Sequence, residues 1–195
     1  MPVLLGAIIS SNQQARADTG AMFSISSVVL GAQASTVTFS NIPQTYTHLQ
    51  LICMTRITRS ANDPSSNQLS FNGDSGSNYT YHMVVSSTNS TTPDTYNAFN
   101  TSTMYIGTNA SNGTAAGTYS PMIIDILDYR NTNKFKVSRC ISGFSQNTSN
   151  NGQRGAGIRS GLWRSTAAIT SMTFNSNIND YMAGSTFTLY GIKGA

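Results

Sequence analysis

An antiparallel all-β sandwich, jelly-roll-like and preceded by a short N-terminal arm, is the fold class this sequence predicts. Three observations predict it. Short runs place apolar residues at every second position, as in Leu49, Leu51 and Cys53 or Tyr79, Tyr81 and Met83. Clusters of Gly, Asn, Ser and Thr separate those runs, and such clusters favour turns. Beyond a helical turn or two over 13–22, no stretch combines helical periodicity with capping residues. Strands this short and this often interrupted suit antiparallel ladders. No internal repeat of fixed period is present, which argues against a solenoid or propeller.

Taken in order, residues 1–22 read as a docking arm and 23–195 as the sandwich domain. The arm begins with an apolar run in which Val3, Leu4, Leu5, Ile8 and Ile9 are the candidate anchor residues. Nothing basic precedes that run, as a secretory leader would require, and it is far shorter than the roughly 20 residues that span a bilayer. Strands are expected over 23–30, 35–40, 47–56, 67–72, 78–85, 103–107, 119–129, 134–142, 158–164, 167–175 and 185–192. Long polar loops are expected over 86–100 and 146–157, where loops of that length usually carry a contact or decorate a rim. The segment from Leu69 to Tyr81 holds Asn72, Gly73 and Gly76 between two alternating runs, and reads as a turn that tolerates positive φ.

Composition narrows the class of function. Of the 195 residues only 9% are charged, against about 25% in ordinary globular proteins. Ser, Thr, Asn and Gly together reach roughly 45%. A surface of neutral hydroxyls and amides repels its neighbours weakly, so it suits dense assembly with copies of itself. The net charge of +4 comes from a shortage of acids rather than a wealth of bases. Arg130, Lys134, Lys136 and Arg139, followed by Arg154, Arg159 and Arg164, have no interleaved aromatics for base stacking. They read as a solvated strand face, and no direct nucleic-acid contact is expected.

Candidate chemical sites are few. Gly73-Asp74-Ser75-Gly76 has the letters of a serine-protease nucleophile, and His48, Asp63 and Ser75 come in the matching order. In that fold the base and nucleophile belong to different barrels, so 27 positions between His48 and Ser75 are far too few. Asn72, Asp74, Gly76 and Asn78 could wrap Ca²⁺, but a single carboxylate offsets little of the ion's desolvation. Asp125 and Asp128 fall on opposite faces of one strand, which does not suit a carboxylate pair, and Asp125 reads as a hydrogen-bonded structural acid. His48 and His82 stand apart from any cysteine cluster, and no phosphate loop is present, so no metal and no cofactor is expected. Cys53 and Cys140 read as small buried residues, with a single bridge between them left open. No enzymatic activity is expected.

The order of the segments carries more than any single motif. Val37-Thr38-Phe39-Ser40-Asn41-Ile42-Pro43 leads into His48-Leu49-Gln50-Leu51, then Phe71-Asn72-Gly73-Asp74-Ser75-Gly76. Ile124-Asp125-Ile126-Leu127-Asp128-Tyr129, Gly161-Leu162-Trp163 and Phe187-Thr188-Leu189-Tyr190-Gly191 follow. This succession, with Leu4-Leu5-Gly6-Ala7-Ile8-Ile9 and Phe23-Ser24-Ile25, resembles small virion-associated proteins of tailed bacteriophages. It covers most of the chain and is weakest over 86–118 and 146–157. The resemblance implies a β-sandwich on the surface of a phage particle, assembled in the host bacterial cytoplasm.

Two functions are therefore expected. The first is a virion structural protein, a capsid decoration or cement protein or a tail fibre module. It would be anchored on other virion proteins by the arm and would be a homo-oligomer, without a membrane span. The second is a receptor- or carbohydrate-binding module of a phage tail. Tyr79, Tyr81, Tyr96 and Trp163, with Tyr105 and Tyr119, would stack on a host-surface glycan.

Overall fold

The computed structural model describes residues 21–60, 65–87, 92–145 and 154–194. The arm residues Val3, Leu4, Leu5, Ile8 and Ile9, and also Asp63, lie outside the described residues. Among those described the fold is all-β, with twelve strands in one mixed, largely antiparallel sheet. The strands are β1 (Met22–Val29), β2 (Thr36–Phe39), β3 (His48–Ile57) and β4 (Ser65–Phe71), then β5 (Tyr79–Ser87), β6 (Asp94–Thr101), β7 (Met104–Ser111) and β8 (Ser120–Leu127). The last four are β9 (Lys136–Ser145), β10 (Arg154–Trp163), β11 (Met172–Ser176) and β12 (Thr186–Ile192).

Two antiparallel ladders make up the sheet. The larger runs β1-β12-β3-β8-β9-β10-β5-β6. The smaller runs β2-β11-β4-β7. A short parallel pairing of Arg56 with Ala110 and Ile57 with Ser111 joins them. Both ladders feed one core: Leu49, Leu51, Ile124 and Phe187 from the larger, Phe39, Leu69, Met104 and Phe174 from the smaller. Contacts across the core include the rings of Phe174 and Phe187, with centroids 6.1 Å apart. Each large side chain enclosed here contributes about 1.5–3 kcal/mol relative to exposure.

One irregularity shapes that core. Ser66 pairs with Thr108 and Asn67 with Ile106, leaving Gly107 as an extra residue in β7. Gly107 has φ 70°, and a Cβ there would lie 2.0 Å from Met122 Sδ. Only glycine provides both the backbone angle and the space. Beyond the bulge Thr108, Asn109 and Ala110 are all buried, so this part of β7 is enclosed on both faces.

Three expectations are corrected. Residues 94–100, expected within a loop, belong to β6, which pairs with β5 through Tyr96↔Met83 and Asn97↔His82. Its polar letters hid it because an edge strand with little to bury needs no apolar alternation. The expected loop over 146–157 is strand from Arg154 onward, while 146–153 lie outside the described residues. The expected strand over 167–175 reduces to β11, because Ala168 to Ser171 are tied instead to the Asn72 side chain.

The reading of the basic residues as a solvated face fails for two of them. Lys136 is fully buried, and its Nζ donates to the carbonyls of Asn131, Lys134 and Thr166 at 2.6, 2.7 and 3.0 Å. Arg159 is also buried. Both sit at inward positions of a strand, where the stem packs and the head must find oxygen partners. Arg139 and Lys134 are exposed as expected, paired with Asp125 and Asp128 at 2.8 and 2.9 Å. Cys53 and Cys140 are both buried and free.

Candidate interaction surface

The Leu69–Tyr81 segment is built as a turn. Asn72 and Gly73 both have positive φ, and Asp74 N–H donates back to the Phe71 carbonyl at 2.9 Å. That is the backbone of a tight reversal, for which Asn-Gly is well suited. It does not close a hairpin: β4 belongs to the smaller ladder and β5 to the larger, so the turn carries the chain across the core. Its oxygens are already committed. Asp74 accepts from Trp163 Nε1 at 2.7 Å, Asn78 Nδ2 at 2.9 Å and Gly76 N–H at 2.8 Å. The Trp163 hydrogen bond foremost holds the Asp74 carboxyl below its usual range. Asn72 Oδ1 accepts from the backbone of Thr170 and Ser171. Oxygens that each face N–H donors do not present a cation cage. Among the described residues no group of three or more His, Cys, Asp or Glu could hold a metal.

His48 serves the β8–β9 reversal. Its Nδ1 accepts from Asp128 N–H at 2.9 Å, which leaves the proton on Nε2. Asp125 has the structural role expected, accepting from Gln50 Nε2 and Arg139 Nε at 2.8 Å each.

The candidate glycan-stacking aromatics separate into two groups. Tyr79 and Trp163 are buried in the core, stacked at 6.3 Å between centroids, and cannot meet a ligand. Tyr79 Oη accepts from Phe71 N–H, and burial pushes its pKa up to about 12. The chain crossing between ladders draws both rings inward, which strand alternation alone could not reveal. Tyr81 is half-buried and stacks on Tyr105 at 5.0 Å. Tyr119 donates to the Ala183 carbonyl. Tyr96 is exposed on β6, paired with Met83; Phe99, also exposed on β6, meets the His82 ring edge-on at 5.5 Å.

The most extensive unassigned feature is the outer face of the larger ladder. Register aligns Ile52, Ile123, Ile141, Ile158 and Val84 in one row across β3, β8, β9, β10 and β5. All five are exposed, Ile141 and Ile158 by 61% and 63%. The next row is polar: Gln50, Asp125, Arg139, Ser160 and His82. Beyond it Leu127, Val137 and Leu162 align again, with the first two exposed. The Asp125–Arg139 pair neutralises itself within the polar row. The face is therefore aliphatic and nearly uncharged, suited to docking by burial rather than by charge.

Sequence reasoning passed over this surface, although a signal was present. Met122-Ile123-Ile124, Leu51-Ile52-Cys53 and Cys140-Ile141 are apolar at consecutive positions. Such runs mark strands with both faces apolar. Among the described residues no helix is long and apolar enough to cross a membrane. Comparison with protein-family models, with curated proteins and with solved structures finds no match.

Proposed function

We propose that the chain is a non-enzymatic structural module of a bacteriophage particle, a capsid decoration or fibre-like module that packs against further copies of itself. The observation that supports this reading is the exposed aliphatic row on the outer sheet face. With eight strands about 4.8 Å apart and seven to ten residues long, that face covers on the order of 1,000 Å². A stable interface buries about as much on each partner. Low charge removes the repulsion that would otherwise separate identical copies. The N-terminal arm, with Val3, Leu4, Leu5, Ile8 and Ile9, would anchor the module on other virion proteins of the capsid or tail.

The test is the oligomeric state of the full chain by analytical ultracentrifugation, with Ile141→Lys and Ile158→Lys combined. The wild-type chain is expected to associate, and the double variant to remain a folded monomer. A wild-type chain that stays monomeric at high concentration overturns the reading of the sheet face.

A second reading, a receptor- or carbohydrate-binding module, draws on one observation: Tyr96 and Phe99 are exposed on the same edge strand. Exposed rings of this kind stack on sugars. Saturable binding on a glycan array, abolished by Tyr96→Ala, would favour this reading over the first.

A further inference from the structure

A cleft of about 120 Å³ lies where β9 ends and β10 begins, between the two ladders. Its lining brings together the guanidinium of Arg159 and the side chains of Ser66, Thr108, Ser142 and Phe144. Arg159 is 3% exposed, and among the described residues no carboxylate forms an ion pair with it. Its Nη1 donates to Ser66 Oγ at 2.9 Å and its Nη2 to Thr108 Oγ1 at 2.7 Å. Its Nε has no hydrogen-bond partner, and Ser142 Oγ has no oxygen or nitrogen partner, only the weakly accepting Cys140 sulfur nearby.

The polarity of these groups is uniform. A guanidinium has only donors. Because Ser66 and Thr108 each accept from it, their own hydroxyl protons point elsewhere and remain free to be donated. Ser142 adds a third hydroxyl. A buried cation without a counter-charge is costly, and the cost falls when an anion with acceptor oxygens occupies the space beside it. Burial also draws the Arg159 pKa below the ordinary arginine value, the sign expected of an uncompensated cation.

We infer that this cleft binds a small oxyanion, held by the Arg159 guanidinium and the hydroxyls of Ser66, Thr108 and Ser142. The volume is slightly below that of a ~150 Å³ cavity that admits benzene. It therefore suits a phosphate-sized ion or one carboxylate group. The site is independent of the outer sheet face, since its lining side chains come from the inward faces and strand ends of the ladders.

The experiment is titration of the full chain with inorganic phosphate and, separately, with acetate, at ionic strength held constant with chloride. Binding is read by calorimetry and by the rise in Tm. A saturable rise with phosphate alone assigns a tetrahedral oxyanion, and a rise with acetate alone assigns a carboxylate. Ser142→Ala removes a hydroxyl whose one neighbour of this kind is the weakly accepting Cys140 sulfur, so its fold is expected to persist while affinity falls roughly tenfold or more. Arg159→Met is expected to abolish binding; should it fail to fold, Ser142→Ala and Thr108→Val decide the matter. No saturable binding of either ion, or unchanged affinity in Ser142→Ala, overturns the inference.

Discussion

The two faces of the larger ladder make the instructive comparison. Both are rich in aliphatic residues, but they solve opposite problems. The inner face closes on the smaller ladder and takes in Lys136 and Arg159 beside Leu49, Ile124 and Leu189. The outer face leaves Ile52, Ile123, Ile141 and Ile158 in solvent. Packing, and not hydrophobicity by itself, separates core from surface here: an enclosed lysine with three carbonyl partners is more a part of the core than an exposed isoleucine.

Substitutions that cost stability on one face and spare the other would sharpen this contrast. The largest effect is expected at the β7 bulge, where Gly107 faces Met122 of the larger ladder. Gly107→Ala forces a side chain into a positive φ and against Met122, and should lower the unfolding free energy by about 4 kcal/mol in urea denaturation. Next, Lys136→Met leaves three carbonyls without their donor, for an expected loss of about 3 kcal/mol. A loss below about 0.5 kcal/mol would mean those carbonyls find water, and would break the comparison.

Alkaline titration probes the same face more gently. Burial raises Tyr79 and Cys140, each to about 12, from ordinary values of 10.0 and 9.0. Both are neutral when protonated, so the folded chain holds these protons to higher pH than the unfolded chain. Their contribution is complete below about pH 9 and is lost as pH rises through about 12. Lys136 has the opposite sign, since burial lowers its pKa, so its charge penalty is shed as pH approaches 10.5. The decline in Tm should therefore be steepest above about pH 10.5, and Cys140→Ala should reduce it. The smallest effect on stability belongs to the outer face. Ile141→Lys with Ile158→Lys should change unfolding free energy by no more than about 0.5 kcal/mol per site while removing self-association.

Much of the fold was legible in the letters. Alternation located β3, β4, β5, β8 and β12 to within a residue or two, because each puts one apolar face on the core. The Asn72-Gly73 turn was equally clear, since few residues accept positive φ in succession. Strand β6 was not legible: it is an edge strand whose hydrogen bonds to β5, rather than buried side chains, define it. Trp163 and Tyr79 were expected at a ligand, and the core claimed them through Asp74 and Phe71. The aliphatic row was hidden for another reason. Its members are dozens of residues apart in the chain, and only register brings Ile52, Ile123, Ile141, Ile158 and Val84 into line.

The sequence by itself determined an all-β chain of short strands and the site of its sharpest turn. These are local properties, set by side-chain periodicity and by the backbone angles that Asn and Gly tolerate. The tertiary structure alone decided which apolar residues are buried, which cations are enclosed, and where donors converge on one cleft. Those outcomes depend on strand partners and register, which link distant positions, and no local pattern specifies them.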